Sequence, residues 1–122
     1  MILALLVSLG ASFGAVSRYL VDQAVTRRRA VAFPAGTWVI NITGSFVLSL
    51  LTGLAAHHGL PVDVVTVVGT GVCGGYTTFS TFSYETLRLT EDGSGLLGLG
   101  NIAASLAVGL AAAALGLGTA LL

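Results

Sequence analysis

The chain has 122 residues, of which 55% are hydrophobic and only 8% charged, with no formal net charge, whereas a soluble domain carries about 25% charged residues. Its mean hydropathy of +0.97 marks an integral membrane protein, and since a span needs roughly 20 apolar residues the length holds four membrane helices with no soluble domain beside them. The charge balance gives no support to nucleic-acid binding, and a single cysteine, Cys73, cannot form an internal disulfide and reads as a small buried apolar residue.

The first predicted span runs from Ile2 to Val25. It lacks a basic leader and is longer than a signal peptide's apolar segment, so it reads as a retained helix. It ends before Arg27-Arg28-Arg29. Gly10 and Gly14, four apart, let another backbone approach closely. Arg18 lies about two-thirds along the span, where it either snorkels towards Arg27 or faces an aqueous vestibule and raises the local anion concentration.

The second span starts near Phe33-Pro34, where proline suits a first helical turn, and runs to Ala56. His57-His58-Gly59-Leu60-Pro61 follow as a loop, and metal binding by the histidine pair is a weak reading. Thr37, Asn41, Gly44 and Ser45 share one helical face. An asparagine this deep serves either as an interhelical clamp or as a ligand, because its amide both donates and accepts.

The third span, Val62 to Arg88, is the unusual one. Gly74-Gly75-Tyr76-Thr77-Thr78-Phe79-Ser80-Thr81-Phe82-Ser83 places five Ser and Thr hydroxyls inside an apolar run. Hydroxyls in hydrocarbon must find partners. The cluster therefore indicates a polar path or a tight helix seam. The glycine pair ahead of Tyr76, Thr77 and Thr78 predicts a helix break between Gly74 and Thr77. Such a break frees carbonyls for a cation and creates a helix start that favours an anion. On a continuous wheel, Thr77, Ser80, Thr81 and Tyr84 form one face, beside a Phe79–Phe82 pair flanked by Thr78 and Ser83. Aromatic edges are positive and faces negative, so the rings suit either ion according to the side presented. Gly71 and Gly75 repeat the packing spacing of the first span, and Glu85 is placed for an i,i+3 pair with Arg88.

A turn at Thr90-Glu91-Asp92-Gly93-Ser94-Gly95 leads to a fourth span, Leu96 to Leu122. Asn101 and Ser105 either extend a polar lining or act as packing glue. Ser105 with Gly109, and Gly116 with Gly118, add small residues to the seams. Every cation is an arginine, and Arg27 to Arg29 and Arg88 fall on one side of a four-span chain, which puts both termini outside by the positive-inside rule. No carboxylate lies clearly at mid-membrane, against a proton-coupled carrier. No zinc-ligand spacing, nucleotide-binding glycine motif or catalytic triad pattern is present, against an enzyme. Four helices enclose little space, which favours an oligomer.

Three segments in order, Gly10 to Tyr19, Pro34 to Trp38 with Asn41 to Phe46, and Gly71 to Glu85, together resemble the Fluc, or CrcB, family of fluoride channels. The likeness covers essentially the whole chain, and the most specific piece is the Thr77-Thr78-Phe79-Ser80-Thr81-Phe82-Ser83 run after a glycine pair. The resemblance implies a single all-α membrane domain, residues 1–122, that forms an antiparallel dimer with two fluoride pores and passively exports fluoride across the plasma membrane. It assigns Phe79, Phe82 and Asn41 to the pore, Thr77, Ser80, Thr81 and Ser105 to a polar track, and Arg18 to the vestibule. It also implies a structural, untransported sodium ion on the backbone carbonyls of Gly74 and Thr77.

Dual-topology homodimers usually carry little arginine bias, so the bias here also fits half of a heterodimer with an oppositely oriented homologue. A small four-helix multidrug-type transporter is the alternative of matching length, but it wants a membrane-embedded glutamate in the first span, which has none. A non-transporting assembly subunit would explain the glycines but not the hydroxyl track with Asn41.

Overall fold

The computed structural model describes residues 1–27 and 33–122. Arg28 and Arg29, part of the cluster on which the orientation rests, lie outside the described residues. Three uninterrupted helices, α1 (Ile2–Thr26), α2 (Ala35–His58) and α6 (Gly95–Thr119), are long and apolar enough to cross a membrane. The predicted third span is present in pieces. It comprises α3 (Val62–Val64), a π-helical segment π1 (Val65–Cys73), α4 (Gly74–Tyr76) and, after a break, α5 (Phe79–Asp92). The result is an all-α, multi-pass membrane protein, with no strand among the described residues.

Local chemistry sets the helix ends. Gly59 ends α2 in the left-handed region at φ 69°, which glycine adopts without a Cβ penalty. The Ser94 hydroxyl accepts from Leu97 N–H at 3.3 Å and caps α6. His57 and His58, expected in a loop, close the last turn of α2, and His58 Nε2 lies 2.7 Å from the Ala120 carbonyl at the far end of α6. The third span runs four residues beyond Arg88, to Asp92, and the turn contracts to Gly93-Ser94.

Glycine decides which helices meet. A Cβ on Gly75 would strike the Ala11 carbonyl, and one on Gly14 the Val72 carbonyl. One on Gly71 would lie 2.9 Å from the Val7 carbonyl oxygen, and one on Gly10 3.0 Å from that of Val67. The two glycine pairs with matched spacing are thus each other's seam, joining α1 to π1 and α4. A second seam lies between α2 and α6, where Gly116 abuts the Phe46 carbonyl. A third lies between α5 and α6, where Gly98 abuts Thr90 Oγ1 and the Thr86 carbonyl. Lipid gives helices no hydrophobic reason to associate, so close backbone approach through small residues supplies the attraction. The only large side chain under 2% exposed among the described residues is Ile40 of α2.

The consequence for the site is a change of partner along the third span. Its first half packs on α1 and its second half on α6, with α2 against both α1 and α6. The wide π1 turn and the break after Tyr76 let one chain segment make that crossing. Such π segments tend to mark functional places.

Candidate functional site

The break lies at Thr77–Thr78. Thr77 leaves the helix at φ −74°, ψ 159°, and Thr78 is extended at φ −147°, ψ 125°. Thr77 N–H still reaches the Cys73 carbonyl at 2.9 Å, and its hydroxyl bonds the same oxygen at 2.9 Å. Thr78 N–H, which an unbroken helix would send to the Gly74 carbonyl, goes instead to Asn41 Oδ1 at 2.9 Å. Asn41 Nδ2 in turn donates to the Thr78 carbonyl at 2.9 Å. One carboxamide thus replaces both backbone partners that a bilayer cannot supply.

Thr78 also starts the next helix. Its hydroxyl accepts from Thr81 N–H at 3.2 Å and donates to Thr81 Oγ1 at 3.0 Å. The predicted break between Gly74 and Thr77 is therefore met at its C-terminal end. Gly74 and Gly75 stay helical, and Gly75 is present for the α1 contact rather than for a dihedral.

Around this break lie two surface grooves that share a wall. The first, about 550 Å³, runs between α2, α5 and α6 and includes Thr37, Trp38, Asn41, Phe79, Phe82 and Ser105. The second, about 500 Å³, lies on the π1 side and includes Gly44, Cys73, Gly74, Thr77 and Thr78. Asn41, Ser45, Phe79 and Phe82 line both. The two rings are 6.0 Å apart at their centroids and inclined by 41°. Phe79 is 79% exposed, so the wall stands at the surface of a single chain.

The structure brings together Asn41, Phe79, Phe82 and Ser105 in the first groove and adds Thr77 in the second. Asn41 spends one Nδ2 hydrogen and one Oδ1 lone pair on Thr78, which leaves an N–H for the groove. The Ser105 hydroxyl is buried with no hydrogen-bond partner among the described residues. Ser80 and Thr81 line neither groove. They gather with Thr78 at the start of α5, Ser80 Oγ lying 3.3 Å from Thr78 Oγ1. The expected single face of Thr77, Ser80 and Thr81 is thus divided, because extended backbone at Thr77–Thr78 breaks the wheel between them.

Arg18 donates from NH1 to the Thr77 carbonyl at 3.3 Å. Its side chain therefore reaches the break itself rather than the Arg27 end. The Glu85–Arg88 pair does not form. Arg88 pairs with Asp92 at 3.3 Å on the exposed face, and Glu85 turns inward near Thr37 and Asp22. Asn101 is glue rather than lining: it accepts from Trp38 Nε1–H and donates to Thr86 Oγ1, each at 2.8 Å.

Two site residues escaped sequence reasoning. A continuous wheel sets Thr78 beside the phenylalanines, although its spacing to Thr81 suits a hydroxyl cap. Trp38 enters the sequence reading only as the end of the resembling segment Pro34 to Trp38, with no role given to it.

The description "CrcB-like protein, Camphor Resistance (CrcB)" fits residues 5–117 of this chain. The chain is 50% identical over 117 residues to the fluoride-specific ion channel FluC 1 of Frankia casuarinae, covering 92% of this chain and 91% of that protein. It is 51% identical over 109 residues to FluC 1 of Streptomyces avermitilis, with 89% and 88% covered. It is 52% identical over 103 residues to FluC 2 of Mycobacterium tuberculosis, with 84% and 79% covered. A match across all four spans, the break and both grooves included, places this chain in the CrcB-like protein family.

Proposed function

We propose that this chain, paired with an antiparallel partner, is a fluoride-selective channel through which the ion leaves the cytoplasm down its gradient across the plasma membrane. The observation that carries this reading is the wall of Asn41, Phe79 and Phe82 between two grooves that are open on a single chain. A second copy, or an oppositely oriented homologue, would cover the exposed Phe79 and enclose the grooves. The relatives named above as fluoride-specific channels support the choice of ion.

Fluoride is small and strongly hydrated, so passage requires substitutes for its water. The spare Asn41 N–H, the unpartnered Ser105 hydroxyl and the positive edges of Phe79 and Phe82 offer them in one groove. None of these groups carries a full charge, which suits conduction: the ion must be able to leave as well as enter. Ser80 and Thr81 contribute by holding the start of α5. Nothing in this reading involves bond-breaking chemistry.

Sodium at the break fits in part. The Gly74 carbonyl has lost its helical donor to Asn41, and a Cβ on Gly74 would meet nothing within 4 Å among the described residues, so this side of the chain is open to a partner. The Thr77 carbonyl already accepts from Arg18 and would serve both cations. Bound there, sodium would supply fixed positive charge. Arg18 supplies part of that charge from the chain itself and orients the Thr77 carbonyl.

The test is efflux from liposomes that hold the purified chain alone and are loaded with fluoride or with chloride. Rapid fluoride release without chloride release supports a selective homodimer. Silence with the chain alone but release with an oppositely oriented homologue supports a heterodimer. Silence in both, or export of a lipophilic cationic dye instead, overturns the channel reading.

A further inference from the structure

Asn41 holds the front of α5, and a second asparagine holds it from behind. Trp38 Nε1–H of α2 donates to Asn101 Oδ1 of α6 at 2.8 Å. Asn101 Nδ2 donates to Thr86 Oγ1 of α5 at 2.8 Å, and Thr86 Oγ1 donates to the Phe82 carbonyl at 2.7 Å. Asn101 is 5% exposed and Thr86 9%.

The chemistry allows this relay only one direction. The indole N–H is a donor alone, so the Asn101 oxygen must face it and the amide nitrogen must face Thr86. Thr86 then accepts, and its single O–H is left for Phe82. A threonine hydroxyl bonded to the carbonyl four residues back competes with the backbone for that carbonyl and often bends the helix that carries it. Gly98 lets this happen at close range: a Cβ there would strike Thr90 Oγ1 and lie 3.2 Å from the Thr86 carbonyl.

Phe79 and Phe82 therefore lie between two fastenings, Asn41 on Thr78 and Asn101 on Thr86. Only the first of these lines a groove. We infer that Asn101 is a positioning residue which, through Thr86, sets the Phe82 ring against the pathway, with Trp38 fixing the sense of the relay. The functional part of this inference rests on the channel reading; the effect on the ring does not.

The test uses the full chain with 4-fluorophenylalanine at position 82, in which the ring's 19F resonance reports its setting whether or not the chain conducts. Thr86→Val keeps the volume and removes the hydroxyl, Thr86→Ser restores it, and Asn101→Leu removes the amide. The resonance should shift or broaden in Thr86→Val and Asn101→Leu and return in Thr86→Ser. In liposomes, fluoride efflux per dimer should fall roughly tenfold in the first two and recover in the third, with the double variant no worse than the poorer single. An unmoved resonance in Thr86→Val overturns the inference, as does a flux loss that serine does not rescue. If Thr86→Val does not fold, Trp38→Phe removes the N–H at the far end together with one ring of the indole, and an unchanged resonance there is equally fatal. A parent chain that conducts nothing counts against the channel reading alone, since the resonance still decides the positioning.

Discussion

Asn41 and Thr78 form a closed pair: the side-chain amide of one donates to and accepts from the backbone of the other, both at 2.9 Å. Two helices are joined here where one of them has stopped being a helix. Within a bilayer no water can meet the backbone groups that a break exposes, so this amide permits the break.

Asn41→Ala should leave the Thr78 N–H and carbonyl without those partners. A buried unsatisfied group costs about 1–3 kcal/mol, so thermal unfolding in detergent should show a loss of roughly 2–4 kcal/mol. Fluoride efflux should fall by more than about tenfold. Unchanged stability would mean that Asn41 does not hold the break.

Phe79→Ala should separate conduction from stability. The ring is 79% exposed in one chain, so its loss should cost the isolated chain under about 1 kcal/mol, while fluoride efflux is abolished. Alanine at Phe82, which shares the wall, should also abolish it. Normal flux in both variants would remove the rings from the pathway.

Ser105→Ala should move stability and flux in opposite directions. Its hydroxyl is buried without a partner among the described residues, so removal should be neutral or stabilising by about 1 kcal/mol. If the hydroxyl serves the ion, efflux per dimer drops all the same. A variant equal to the parent in flux would reduce Ser105 to a packing residue.

Two neighbouring glycines should differ. In Gly75→Ala the new methyl meets the Ala11 backbone, which cannot step aside. That should destabilise the α1 seam by about 1–3 kcal/mol. Gly74→Ala meets nothing within 4 Å among the described residues, so it should spare the chain but weaken the dimer by size-exclusion chromatography if Gly74 faces a partner. Equal effects on both properties would argue against an interface at Gly74.

Replacing sodium with a bulky organic cation should slow efflux if a metal binds at the break. Arg18→Gln removes the guanidinium from the Thr77 carbonyl and should deepen that dependence by roughly tenfold in sodium concentration. Flux indifferent to sodium in both proteins would rule the metal out.

Much of this molecule was legible in order of residues. Apolar runs with scarce charge require membrane helices, because burying charge in lipid is expensive. Gly10 and Gly14 match the spacing of Gly71 and Gly75, and all four lie in one seam, each against backbone of the facing helix. The hydroxyl-rich run after the glycine pair announced a break. What failed was the assumption that helical periodicity continues through that run. Once Thr77 and Thr78 are extended, residues beyond them are turned to new directions, so Ser80 and Thr81 became a helix start and Thr77 went to the other groove.

Partnership was decided only in three dimensions. Asn41 read equally as a clamp or a ligand, and its geometry makes it the clamp with one donor to spare. Asn101 read as lining or glue, and the donor-only indole of Trp38 made it glue. Arg18 read as snorkelling or as facing a vestibule, and only the structure seats its guanidinium on the Thr77 carbonyl. Glu85 turned from Arg88 towards Thr37 and Asp22. Spacing along one helix constrains what lies on one face, and that much the order of residues determines. Which groups lie opposite depends on how helices cross, and the crossing here follows from glycine seams on either side of a break.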